Sequence, residues 1–168
     1  MFTVGEDLTV VLHRPEPRPW RDHWYVIRDA YSECDEAIGP KAASLGIPVI
    51  RSRFSRFFVE MDHLRDWLMT DDDELPDITE KVVNDYALNH EMLKIVNAFS
   101  NSIKHRKRRS GMVADITEIM FDPMRTTVKV TYSQGDGTFG VIDAMALARR
   151  AVEAWGTFFD EHDVSSPS

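Results

Sequence analysis

The pattern of hydrophobic and polar positions lays out the elements of the chain. Leu8-Thr9-Val10-Val11-Leu12 is a short β-branched run that reads as a strand. It stops at Arg14-Pro15-Glu16-Pro17-Arg18-Pro19, where three prolines force an extended connection. After Trp20 the period changes. Trp24, Ile27, Tyr31 and Cys34 recur at spacings of three and four, which predicts a helix with one apolar face. Gly39-Pro40 ends this helix, and Gly46-Ile47-Pro48 reads as a second breaker. Phe54, Phe57, Phe58, Met61, Leu64 and Leu68 then predict a stronger helix from about Ser52 to Met69, with a broad core-facing stripe. Asp71-Asp72-Asp73-Glu74 and Pro76 make a loop. Thr79 ahead of Glu80-Lys81-Val82-Val83 is a helix start. Asn89 is the expected cap of the next helix, which runs from His90 to roughly Arg108 with Met92, Val96, Phe99 and Ile103 as its apolar stripe, and Ser110-Gly111 stops it.

The C-terminal third reads differently. Val113 to Phe121 is β-rich and ends at Asp122-Pro123-Met124-Arg125, where proline in second position suits a type I turn. Val128, Val130 and Tyr132 alternate with Thr127, Lys129 and Thr131, the mark of a half-buried strand. Ser133-Gln134-Gly135-Asp136-Gly137 is a turn cluster, followed by a third short strand over Phe139 to Ile142. Asp143 caps a final helix whose Leu147, Ala151, Trp155, Phe158 and Phe159 face inward. The layout is α+β: an N-terminal helical bundle, a small antiparallel β-meander and a closing C-terminal helix. It divides into a strand and Pro-rich connection over 1–19, one domain over 20–162 with the meander at about 112–142, and a frayed tail over 163–168. An isolated Leu8–Leu12 strand would leave backbone donors unpaired, and whether it adds a fourth strand to the meander stays open.

Composition narrows the class. A chain of 168 residues with 43% hydrophobic and 29% charged side chains is sized for one domain and is not a wholly disordered protein. No stretch approaches the ~18 uncharged apolar residues of a membrane span. Met1-Phe2-Thr3-Val4-Gly5-Glu6-Asp7 lacks the basic-then-apolar order of a secretion signal, so a cytoplasmic location is expected. Cys34, the single cysteine, cannot form an internal disulfide, and its place on an apolar stripe predicts a buried inert thiol. A net charge of -8 excludes a generic nucleic-acid coat, because polyanion binding needs phosphate neutralisation. One basic run stands against that balance: Lys104-His105-Arg106-Lys107-Arg108-Arg109. It is either a solvated helix end or a phosphate-contacting patch formed by Lys104, Arg106, Lys107, Arg108 and Arg109.

Common catalytic motifs are missing: there is no Gly-rich phosphate loop, no His-Glu-x-x-His and no Gly-x-Ser-x-Gly. Six histidines are present, and the close helical pairing is His63 with Asp66, read as a surface ion pair, while Asp62 points about 100° away. No metal and no cofactor is expected. The most informative stretch is Asn97 to Arg108. On a helix Asn97, Asn101, Lys104 and Arg108 form one polar stripe roughly 60° wide, with His105 beside it. Asparagine is a poor residue for a helix interior, so two on one stripe ask for a reason. One reason is a polar site in which Asn101 orients, Lys104 supplies charge and His105 transfers a proton. Another is a solvated face. A third is a small-ligand pocket lined by Asn97, Asn101, Asp66 and Trp67.

Asn101-Ser102-Ile103-Lys104-His105, with Asp66-Trp67 on an earlier helix, resembles a motif of bacterial and phage proteins similar to the HEPN superfamily, helical domains of toxins and anti-phage defence. Ribonucleases of that superfamily use an arginine, a polar residue, several variable residues and a histidine on one helix. The histidine falls on His105 and the polar residue on Asn101, but the arginine position falls on Ser100, a departure that removes the expected stabiliser of phosphate charge. The resemblance implies an RNA-directed protein, either a metal-independent endoribonuclease or a degenerate RNA binder, that pairs as a homodimer. Arg56 and His63 match the arginine-to-histidine spacing by count, but their phenylalanine-rich helix lacks the polar neighbour. A non-catalytic acidic module that engages a basic protein partner is the alternative reading of the same charge balance.

Overall fold

Pro19, held extended at φ -61° and ψ 148°, launches α1 (Trp20–Ile38), whose Trp20, Trp24, Ile27, Ala30 and Cys34 are buried on one face. The structure, a computed structural model, describes residues 19–71, 75, 78–104, 111–134 and 136–165. Leu8–Leu12 therefore lies outside the described residues. α1 stops at Gly39, as the Gly-Pro pair predicts, and α2 (Ala42–Leu45) is a single turn. Gly46 breaks the chain after α2, as expected, and Gly46-Ile47-Pro48 does more than break it. It starts α3 (Ile47–Thr70), so this helix begins at Ile47 and not near Ser52. Gly46 takes the left-handed φ of +79° needed at the cap, and Pro48 falls in the first turn, where its missing N–H costs no helix bond.

Thr79 caps α4 (Glu80–Asn89), its hydroxyl accepting from the Val82 N–H at 3.4 Å. α5 (Glu91–Lys104) follows after His90. Asn89 is not the cap of α5. It is the last residue of α4, its amide donating to the Asp85 carbonyl at 2.7 Å, and the position before α5 falls on His90. The continuation of α5 toward Arg108 lies outside the described residues.

β1 (Val113–Met120), β2 (Thr127–Ser133) and β3 (Phe139–Asp143) form an antiparallel sheet in chain order, with Val113 opposite Ser133 and Ser133 opposite Phe139. A bulge between Ile116 and Glu118 shifts the β1 register. Asp143 caps α6 (Ala144–Glu161) by accepting from the Ala146 N–H at 2.9 Å. The α+β architecture is thus helices first, a three-stranded meander, and a closing helix.

Ala114, Ile116, Val128 and Val130 bury the inner face of the sheet against the helices, while Phe139 and Val141 on the outer face stay exposed. α3 is central, packing against α1, α2, α4, α5 and α6. Phe54, Phe57 and Phe58 on α3 meet Phe99, Trp155, Phe158 and Phe159 in one continuous core. Val164, in the stretch expected to fray, packs on that core and donates its N–H to the Phe159 carbonyl at 2.8 Å. No helix among the described residues is long and apolar enough to cross a membrane.

Phe58 is fully buried and in ring contact with Phe54, Phe57 and Phe99. Phe58→Ala is expected to cost about 3–5 kcal/mol in urea denaturation, whereas Met124→Ala, at a position 80% exposed, is expected to stay within about 0.5 kcal/mol of wild type.

Candidate functional site

Two helices build the polar row. On α3, Asp62 follows Phe58 by one helical turn, so a carboxylate sits on the side of the helix that carries the phenylalanines. On α5, Asn97 and Asn101 flank the buried Val96 and Phe99. The Phe58 and Phe99 rings meet at 4.9 Å and pin the two helices together. Beside that contact Asn97 Nδ2 donates to Asp62 Oδ1 at 2.9 Å, and Asn101 Nδ2 donates to Asn97 Oδ1 at 3.0 Å. Lys104 Nζ stands 3.9 Å from Asp62 Oδ2. The Asp62 side chain is only 8% exposed, against 41% for Lys104.

The two asparagines therefore have a reason. Asn97 supplies a hydrogen-bond donor to the Asp62 carboxylate, and Asn101 donates in turn to Asn97, so hydrogen bonding is carried outward along the row. The row is half-buried, not a fully solvated face. Asn97, Asn101 and Lys104 lie in the row as their helical spacing predicts, whereas Asp62, expected to point away, anchors it. Its spacing of four from Phe58 was the available signal.

The other assignments fare differently. His63 does not pair with Asp66: His63 Nδ1 faces Glu60 Oε2 at 3.9 Å, while Asp66 Oδ1 lies 3.7 Å from Arg65 Nε. Glu60 also approaches His23, so the carboxylate drawn between two histidines outcompetes the expected i, i+3 partner. Trp67 stacks on the His23 ring at 5.0 Å, on the α1 side of α3, so Asp66 and Trp67 share no pocket with Asn97 and Asn101. The space beside Asn97, among Asp62, Arg65 and Trp155, is ≈ 10 Å³. That is about room for one water and no organic ligand. Ser100, at the position that would carry the family arginine, is fully buried, and its hydroxyl has no hydrogen-bond partner among the described residues. His105, Arg106, Lys107, Arg108 and Arg109 lie outside the described residues.

Among the described residues no three His, Cys, Asp or Glu side chains converge as a metal site would require. Cys34 is buried, and that burial pushes its thiol up to about 12, away from nucleophilic chemistry at neutral pH. Comparison with models of known protein families, with curated proteins and with solved structures gives no match in any of the three.

His23 is the buried titratable group next to this region. Its Nε2 is 2.8 Å from the Glu60 carbonyl, a contact in which the ring N–H donates. Burial lowers its pKa below the ordinary 6.5, against the opposing pull of Glu60 and with a small contribution from His63. A lowered folded value means that the unfolded chain takes up the proton first as pH falls. Stability is therefore expected to decline as pH drops through 6.5 and to level off only below the folded value. His23→Gln is expected to flatten that decline when unfolding is followed between about pH 7.5 and 5. An unchanged slope would assign the decline to other groups.

Proposed function

We propose that this chain is a HEPN-like, RNA-binding domain of a bacterial or phage defence or toxin-type system, and that it binds RNA without cutting it. The observation that carries the reading is the row from Asp62 through Asn97 and Asn101 to Lys104. It ties the last described residue of α5 to the central helix at the point where the basic run of the sequence begins. Asp62 offsets part of the Lys104 charge. Most phosphate neutralisation then falls to Arg106, Lys107, Arg108 and Arg109, which continue the run with no carboxylate among them.

Ser100 supports binding over cleavage. A side chain at that position points into the core, where an arginine could not reach a scissile phosphate without unburying its charge. His105 could still move a proton, but the negative charge developing on the phosphate oxygens would lack the cation that the family places before it on the helix. The homodimer implied by the resemblance belongs to this reading as well.

The test is fluorescence anisotropy with a labelled single-stranded RNA, repeated across a salt series. Each contacted phosphate contributes about 0.7 to the slope of log affinity against log salt. Replacing Arg106, Lys107, Arg108 and Arg109 together by alanine is expected to lower that slope by about 2–3. Lys104→Ala is expected to do less than alanine at any one of those four positions, because Asp62 already engages it. The RNA is expected to stay intact in the presence of a chelator. Salt-insensitive or absent binding would overturn the RNA reading, and cleavage that vanishes in His105→Ala would overturn the non-catalytic one.

A further inference from the structure

The ends of α1 and α6 are locked by aromatic contacts, Trp20 to Phe159 at 4.7 Å and Trp24 to Phe159 at 5.4 Å. Beyond them the two helices leave a cleft of ≈ 420 Å³, lined by Trp24, Ile27, Arg28 and Tyr31 of α1 and by Arg149, Val152 and Glu153 of α6. That volume falls in the range of small-molecule sites, roughly 300–1,000 Å³. Its floor is apolar: Trp24 is 6% and Ile27 1% exposed, and Tyr31 is braced edge-on against Phe57 at 5.8 Å.

The rim is charged. In a chain with 28 acidic and 20 basic side chains, arginines find carboxylates easily. Arg51, Arg53 and Arg56 of α3 each face one: Asp115, Glu36 and Glu33. Arg28 and Arg149, both exposed at the cleft, make no ion pair among the described residues. Glu153 lies one turn from Arg149 on the same rim, so the lining residues set two guanidinium groups against one carboxylate. Burial raises the Tyr31 phenol; Arg149 partly opposes that rise while Asp35 and Glu153 add to it, which sets this guanidinium and both carboxylates near the aromatic floor. Planar guanidinium forks match carboxylate or phosphate oxygens, and aromatic rings accept a flat apolar body.

We propose that the α1–α6 cleft binds a small organic anion: a flat aromatic or other apolar body on Trp24, Ile27 and Tyr31, with one carboxylate or phosphate held by Arg28 and Arg149. A protein helix fits the cleft poorly, because Trp24 to Tyr31 covers only about two turns. The site is separate from the α5 row and stands whether or not the chain binds RNA.

The test uses the full chain and 8-anilinonaphthalene-1-sulfonate, an aromatic body with one anionic group, followed by fluorescence. One equivalent is expected to bind saturably. The doubly substituted Arg28→Ala, Arg149→Ala protein, whose changes lie at exposed positions, is expected to bind at least tenfold more weakly with an unaltered thermal transition. The uncharged N-phenyl-1-naphthylamine is expected to change less than twofold between the two proteins. Displacement by 1-naphthoate or by 1-naphthyl phosphate supports the site, and the stronger competitor distinguishes carboxylate from phosphate. Failure of both competitors, absence of saturable binding, or equal affinity in the double variant would overturn it.

Discussion

Three phenylalanines on one helix, Phe54, Phe57 and Phe58, are fully buried, and their side of α3 must be covered by other elements to keep them from water. α1 covers them through Tyr31 against Phe57, and α5 through Phe99 against Phe58. Rings of that size bury a large apolar area each and pack with specific geometry, so the helices that meet them are held in narrow registers. Once Phe99 is set against Phe58, the polar residues that flank it on α5 have little freedom. Asn97 is delivered to Asp62, and Asn101 to Asn97. The polar row is in this sense a product of aromatic packing.

A carboxylate with 8% exposure at a helix interface is a liability for stability unless its partners are in place. Here an amide and an ammonium group supply them, the ammonium at the end of α5 where cations also complement the helix dipole. The same arrangement decides what the row can do. Its hydrogen-bonding capacity is largely turned inward, and the adjacent space holds no more than a water, so it supports the position of Lys104 and does not itself cradle a substrate. The buried Ser100 points the same way. The larger cleft lies elsewhere, between α1 and α6, with its own charged rim.

Much of the fold was legible because the local signals agreed with one another. The alternation of Val128 and Val130 with Lys129, and Asp143 ahead of an apolar helix, each named an element that formed as read. The start of α3 was misread because Pro48 signals both a break and a first turn, and only Gly46 at positive φ resolves the two. Asn89 was misassigned because an asparagine between two helices can bond either one. Asn97, Asn101 and Lys104 were legible as one stripe. Asp62 was missed because a single helix does not show what its neighbour presents to it. The α1–α6 cleft was illegible for the same reason, since it depends on how two helices diverge after their shared contacts with Phe159.

Asp62 and Asn97 act as a coupled pair that sets α5 against α3. A double-mutant cycle with Asp62→Ala, Asn97→Ala and the combined protein, read by urea denaturation, measures that coupling most directly. A coupling of about 1–3 kcal/mol is expected, the scale of a hydrogen bond to a charged group. Costs that add to within about 0.5 kcal/mol would contradict it and would make the row a bystander of the aromatic contact between Phe58 and Phe99.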